Sequence, residues 1–345
     1  MAILLHLALL ALLHQRQGLL LDGEALKYIG CAEDVLQGDT SDLFGNYLKY
    51  GSYVLFLLPF AAIGHVSWAV AAQVLLGLVS AFALRRMIRR LTGSEPLALI
   101  GSALFLLYPL IQTWTLALYT EHFFLCLGIL FLERWTRGDL RGPLTGLILL
   151  ALLFARPVGI FLAGPLIIHS LTERLQGWQQ RLARAGGCVL LILAAFTLIP
   201  IPEAQWEPIA GGQVIAGVGG EVIHANPTAN RTVAAAHAQF VNGHGTAAWL
   251  KLTAARATSF LWPTRAYYST KHNGLIMATL GLLYPLAVFG LWRERREPIA
   301  AACAASLLTY IAAISLTHDE WSGRFLVPLL PWLILWAMVG MRGGR

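Results

Sequence analysis

Residues 66–90 read VSWAVAAQVLLGLVSAFALRRMIRR. A membrane-crossing helix needs roughly 20 predominantly apolar residues, and residues 66–84 supply such a run. It ends in Arg85, Arg86, Arg89 and Arg90, and arginine gathered at the end of an apolar segment marks a cytoplasmic loop. The same juxtaposition recurs at Arg134, Arg137 and Arg141, at Arg174, Arg181 and Arg184, at Arg293, Arg295 and Arg296, and at Arg342 and Arg345. Each cluster abuts an apolar run, so the reading of residues 66–90 extends to the whole chain.

Composition agrees. The 345 residues are 57% hydrophobic and 12% charged, against about 25% charged in ordinary soluble domains. So little charge cannot cover the surface of a soluble protein of this length, and a bilayer is the solvent that suits it. The net charge of +7 is spread over the loop clusters rather than gathered into one basic face with interleaved aromatics, which argues against a nucleic-acid partner. Cys31, Cys126, Cys188 and Cys303 show no CxxC spacing, and His224, His237 and His244 lack metal-ligand spacing. Neither a disulfide framework nor a metal site is expected. No P-loop or GxGxxG is present, so no nucleotide site and no cofactor are expected.

The pattern predicts an all-α integral membrane protein with about ten transmembrane helices. Residues 1–13 form a short first run with no basic segment or small-residue cleavage site behind it, which speaks against a removed signal peptide; that helix is expected to borrow residues 18–21. Residues 52–64, with Pro59 at their centre, are too few for a span and read as a re-entrant or interfacial segment. Further spans are expected at 66–84, 97–113, 115–132, 143–155, 157–171, 187–201, 274–292, 298–316 and 325–341. The pair flanking FARPVG (residues 154–159) is short enough to be two half-helices. With a cytoplasmic amino terminus, every arginine cluster falls inside, and loops 22–65, 202–273 and 317–324 fall outside. Three regions follow: an amino-terminal bundle, 1–201, containing the outer-face loop 22–65; an outer-face loop region, 202–273; and the closing helices, 274–345. Within 202–273 the first half reads as turns and short strands or coil. AAWLKLTAARATSFLW (residues 247–262) reads as an amphipathic surface helix with Lys251 and Arg256 between its apolar positions.

The outer loops hold most of the polar residues that topology leaves unexplained. Asp22 and Glu24 sit at a membrane exit, followed by Tyr28, Ala32 and Gly38. An aspartate capping a surface helix, with a glutamate in its first turn, would account for the two carboxylates without any chemistry. Glu121 lies at the edge of an apolar run, where a carboxylate costs roughly 2 kcal/mol or more unless paired or near water. Arg156, also at membrane depth, is its natural structural partner. Asp319 and Glu320 form a second acidic pair. Arg324 stands at the mouth of the last helix, where an interfacial arginine that snorkels is the plain alternative. Lys271 and His272 follow Tyr267 and Tyr268, which would also suit an interfacial aromatic belt.

An acidic residue with Tyr four on, Ala eight on and Gly fourteen on resembles the opening signature of the GT-C superfamily of glycosyltransferases, which includes protein O-mannosyltransferases and lipid A aminoarabinose transferases. Counted from Glu24, the offsets give Tyr28, Ala32 and Gly38, although the family's leading residue is usually Asp. Further stretches are similar in order: KYGSYVLFLLPFAAIG (49–64), the Thr120–Glu121 helix pair, FARPVGIFLAGPL (154–166), SFLWPTRAYYSTKHN (259–273) and GRFLVPLLPWLILWA (323–337).

The resemblance implies transfer of a sugar from a polyprenyl-phosphate-linked donor to a glycan, lipid or protein acceptor, at the periplasmic or exterior face of a bacterial-type inner membrane. Asp22 or Glu24 would be the base. Arg324, Lys271, Arg265 and His272 would hold the donor phosphate. Tyr28, Glu121, Arg156, Tyr267, Tyr268 and Asp319 would line the cavity. No metal is implied. The rival expectations are a transporter or flippase of lipid-linked sugars, which would place charge at mid-membrane, and an O-antigen polymerase or ligase.

Overall fold

The computed structural model describes residues 1–215, 217–219, 231–266, 268–319 and 323–343. It is all-helical, with no strand among the described residues beyond isolated bridges. Among the described residues, four helices are long and apolar enough to cross a membrane: Trp68–Thr92, Gly177–Leu198, Thr270–Arg293 and Pro298–Ser315. A fifth crossing is possible if Glu95–Leu107 and Pro109–Thr115, bent by 54° against each other, form one broken span. The bend falls at Tyr108, whose extended backbone (φ −74°, ψ 113°) is what the residue before a proline prefers. Other apolar runs fold as shorter helices: Ala2–Gln17, Gly51–Ala62 with Pro59 inside it, Pro143–Leu153 and Gly159–Leu171. Arg156 and Pro157 lie in the break between the last two.

Contacts divide the chain into two compact units. The first comprises Met1–Ala163, Leu283–Ile299 and Val327–Arg345. Its centre is the Thr120–Thr136 helix, almost every residue of which is buried, packed against Trp68–Thr92 and Pro143–Leu153. The closing helix Leu330–Met341 is buried along nearly its whole length, with Trp332 and Trp336 among the largest fully enclosed side chains. A helix apolar on every face is what a bundle interior surrounded by hydrocarbon requires.

Charge gathers at one end of this unit. Glu133 is buried among Arg86, Arg90 and Arg137, at 3.3, 3.5 and 3.4 Å. Glu95 pairs with Arg85 and Arg89. Arg293 donates to the carbonyls of Val339 and Arg342, the last acceptors of the closing helix, while Arg342 donates to Leu91 and pairs with Glu294. The arginines therefore add side-chain donors to carbonyls at helix ends, where backbone donors run short. Glu121, by contrast, stands in the first turn of Thr120–Thr136, about 18 Å from Glu133 along the same helix.

The second unit comprises Gly164–Leu282 and Ala300–Leu326. No residue of Gly177–Leu198 is buried, which suits a helix facing lipid. The loop region holds the helices Glu203–Ala210, Val233–His244 and Thr246–Leu261, while most of the stretch expected to form turns, short strands or coil, 211–232, lies outside the described residues. A small core of Trp206, Ile209, Ala210, Val233 and Ala236 holds the first two together, with Phe196 and Ile201 against it. Thr246–Leu261 is the expected helix, but its buried stripe is Leu252, Arg256 and Phe260. Arg256 is thus fully enclosed rather than on the polar face, because the carbonyls described below replace its water.

Within the first unit, Gly290 and Gly340 let two helices touch at the backbone. A Cβ at Gly290 would strike the Trp336 carbonyl, and one at Gly340 the Leu286 carbonyl. Small residues at such crossings substitute for the hydrophobic drive that lipid removes. Overpacking a filled contact costs about 1–3 kcal/mol. Gly290→Val and Gly340→Val should therefore each lower the melting temperature of detergent-solubilised protein, whereas Gly281→Val, with nothing within 4 Å of its Cβ, should change it little. Equal effects at the three positions would contradict the packing described.

Candidate functional site

In the first unit, the exit from the first helix is pinned to a helix break. Leu20 lies parallel to Ala117, its N–H donating to the Leu116 carbonyl at 3.1 Å and its carbonyl accepting from Leu118 at 3.0 Å. The next residues run against Tyr119, whose hydroxyl donates to the Asp22 carbonyl at 3.2 Å. Gly23 has φ +56°, and a Cβ there would come within 2.9 Å of the Tyr119 hydroxyl. The turn therefore needs glycine twice over, for its backbone conformation and for the space. It sets Glu24 at the start of the Glu24–Leu36 helix, where a carboxylate also suits the helix dipole.

One turn on, the Tyr28 hydroxyl reaches the Glu24 carboxylate at 3.4 Å. Tyr28 is buried, edge-on to Tyr47, Tyr50 and Tyr53 with ring centroids 6.4, 5.4 and 5.5 Å away. Burial, and then the nearby Tyr50, Glu24 and Glu121, push its hydroxyl well above the ordinary tyrosine range, with Arg156 opposing them. Tyr28 is therefore a permanent donor. Glu121 and Arg156 form the other side of this neighbourhood, joined at 2.8 Å and both buried. The two base candidates differ. Asp22 has its carbonyl held and its side chain in an exposed residue, whereas the half-buried Glu24 carboxylate lies beside Tyr28.

Sequence reading missed the residues that brace this neighbourhood. Gln73 donates to the Thr115 and Ala117 carbonyls at 3.0 and 2.9 Å and accepts from Tyr53 at 3.3 Å. His122 bonds Thr115 at 2.8 Å and the Gln73 carbonyl at 3.0 Å. A break inside an apolar bundle leaves carbonyls that must find donors within the protein. The available signal was an amide in the middle of an otherwise apolar run.

The second unit holds a separate cluster. Asp319 is fully buried and accepts from Arg265 at 2.5 Å and from Ser259 at 2.9 Å. Arg265 also donates to the carbonyls of Ser259 and Thr264 and is clamped at its backbone by Asn273. Arg256 donates to the Gln213, Pro208 and Ile209 carbonyls at 2.8, 3.3 and 3.4 Å, closing the end of Glu203–Ala210; burial pulls it down to about 10. His237 contacts the Leu316 carbonyl at 2.6 Å through Nε2 and accepts from Trp249 at 2.9 Å through Nδ1, an arrangement only the neutral Nε2–H tautomer satisfies.

The remaining candidates differ in exposure. Arg324 is buried. Lys271 and His272 are exposed in the first turn of Thr270–Arg293, His272 stacked on Tyr268 with ring centroids 4.3 Å apart. Tyr267, Glu320 and His224 lie outside the described residues. Among the described residues, no three His, Cys, Asp or Glu side chains come together as a metal site. No family model matches this chain, and no curated protein or solved structure is similar to it.

Two histidines give the second unit a pH signature. Burial, with Arg256 adding, pulls both His237 and His318 down from 6.5 to about 4. The unfolded chain therefore takes up protons at a pH where the folded chain does not. Their stabilisation is complete above pH 6.5 and is lost as pH falls toward 4. The melting temperature should decline through that window, and His237→Gln, which keeps an acceptor for Trp249, should flatten the decline. An undiminished slope in the variant would contradict the assignment.

Proposed function

We propose that this chain is a membrane glycosyltransferase that moves a sugar from a polyprenyl-phosphate donor to a glycan, lipid or protein acceptor at the outer face of a bacterial-type inner membrane. The observation that carries the reading is the placing of Glu24 beside Tyr28, with the Glu121–Arg156 pair in the same neighbourhood, at the exit of a membrane helix. A half-buried carboxylate in that position can take a proton from an acceptor hydroxyl as it attacks the sugar. Tyr28, held protonated, supplies a hydrogen bond without competing for the proton. Tyr47 and Tyr50, both half-buried, offer apolar faces with polar edges, as sugar rings require.

Two further features support the reading. The sequence order of motifs resembles the GT-C superfamily. Glu121 and the arginine-surrounded Glu133 stand at opposite ends of one helix, so the carboxylate neighbourhood lies away from the end expected to face the cytoplasm. About ten spans, with the shorter apolar helices crossing alone or in broken pairs, remain the topology that accommodates every arginine cluster on one side. Arg324 is assigned the donor phosphate, with exposed Lys271 assisting; Arg265 is committed to Asp319 and two carbonyls. A second reading, a transporter of lipid-linked sugars, draws on the bent helix pair and the buried Glu121–Arg156 ion pair, since broken helices and intramembrane charge also mark transport sites.

Of the two exit carboxylates, Glu24 is assigned as the base. Glu24→Gln should reduce turnover by roughly a hundredfold or more, while Asp22→Asn should leave most of it. Arg324→Lys keeps the charge but loses the planar fork that grips phosphate, and should weaken donor use less than Arg324→Ala. The check is single-turnover kinetics on purified variants with a synthetic polyprenyl-phosphate sugar. The reverse ranking of Glu24→Gln and Asp22→Asn would move the base to Asp22.

A further inference from the structure

At the basic end of the first unit, a cavity of about 220 Å³ is lined by Arg90, Leu91, Glu294, Glu297, Trp336 and Arg342, with Ile299 and Val339 completing it. It is smaller than the roughly 300–1,000 Å³ typical of drug-sized ligands, and it carries two guanidinium groups against two carboxylates. The positive side is held in place: Arg342 donates to the Leu91 carbonyl at 2.7 Å and pairs with Glu294 at 3.3 Å, and Arg90 lies 3.5 Å from Glu133 and donates to Thr136. The negative side is open, since Glu297 is exposed and has no ion-pair partner among the described residues.

We propose that this cavity binds a phosphoethanolamine group, the headgroup of a membrane phospholipid. The phosphate would accept from Arg90 and Arg342, and the ammonium would donate to Glu297. A simple anion would face two carboxylates in the same space and is disfavoured. A quaternary choline has no N–H to give Glu297, whereas a primary ammonium has three donors. Leu91, Ile299 and Val339 provide apolar contact for the glycerol end. The proposal rests on the membrane location of the chain and is independent of sugar transfer, so either can fail without the other.

The test uses the full chain, purified and delipidated in detergent. Binding of phosphatidylethanolamine, phosphatidylcholine and phosphatidylglycerol is compared by native mass spectrometry and thermal shift, with soluble glycerophosphoethanolamine as a fourth arm. One charge-assisted hydrogen bond corresponds to a preference of about tenfold, and that preference is expected for phosphatidylethanolamine over the other two lipids. Glu297→Gln, at an exposed position outside the fold's contacts, should erase it, and Arg90→Gln should weaken it. Stabilisation by the lipid alone assigns the site to the bilayer; stabilisation by the soluble compound as well assigns it to the headgroup wherever it comes from, and both uphold the chemistry. Equal binding of all three lipids, or a preference that survives Glu297→Gln, overturns it.

Discussion

The backbone between Thr115 and Thr120 leaves its helix inside an apolar unit, and the carbonyls freed there have no water to turn to. An unsatisfied peptide group in hydrocarbon costs several kcal/mol. Gln73 and the returning segment at Leu20 meet that demand together: the amide takes the carbonyls of Thr115 and Ala117, and Leu20 pairs with Leu116 and Leu118. Much of the candidate site follows from this single repair. Because Leu20 is tied to the break, Asp22 and Glu24 emerge beside Tyr119 and Glu121. Because the break starts a new helix at Thr120, Glu121 occupies a first turn, where a carboxylate is favoured by the dipole and can meet Arg156.

The two ends of the first unit are built by opposite means. At the basic end, arginines outnumber carboxylates and spend their hydrogen bonds on helix-terminal carbonyls, as Arg293 and Arg342 do. At the other end, carboxylates and tyrosines gather around Arg156. That division arises from the sequence itself, through runs such as 66–90 that end in arginine and an exit such as LDGE (21–24) that does not.

Membrane character, the arginine pattern and the partnership of Glu121 with Arg156 were legible in the sequence, because each depends on cost: charge in hydrocarbon must be paired or placed at an edge. The helix in residues 246–261 was legible from spacing. What it buried was not. Arg256 lies on the enclosed stripe, and only the carbonyls of Pro208, Ile209 and Gln213, brought in from elsewhere in the chain, make that position tolerable. The same is true of His237, whose role depends on Trp249 and Leu316, and of Arg265, which spacing could not tell apart from a free phosphate binder. The break at Pro157 was legible, whereas the one before Pro109 falls inside the expected span 97–113 and the one at residues 116–119 inside the expected span 115–132; Gln73 and His122, which brace the latter, read as incidental polar positions.

The central claim is that the neighbourhood of Glu24, Tyr28, Glu121 and Arg156 performs sugar transfer rather than passage. The direct measurement is the fate of a polyprenyl-phosphate sugar in proteoliposomes containing the purified chain and an acceptor-bearing membrane extract. The account predicts free polyprenyl phosphate appearing in step with glycosylated acceptor. Intact donor moving between leaflets, with no release of polyprenyl phosphate, would contradict it.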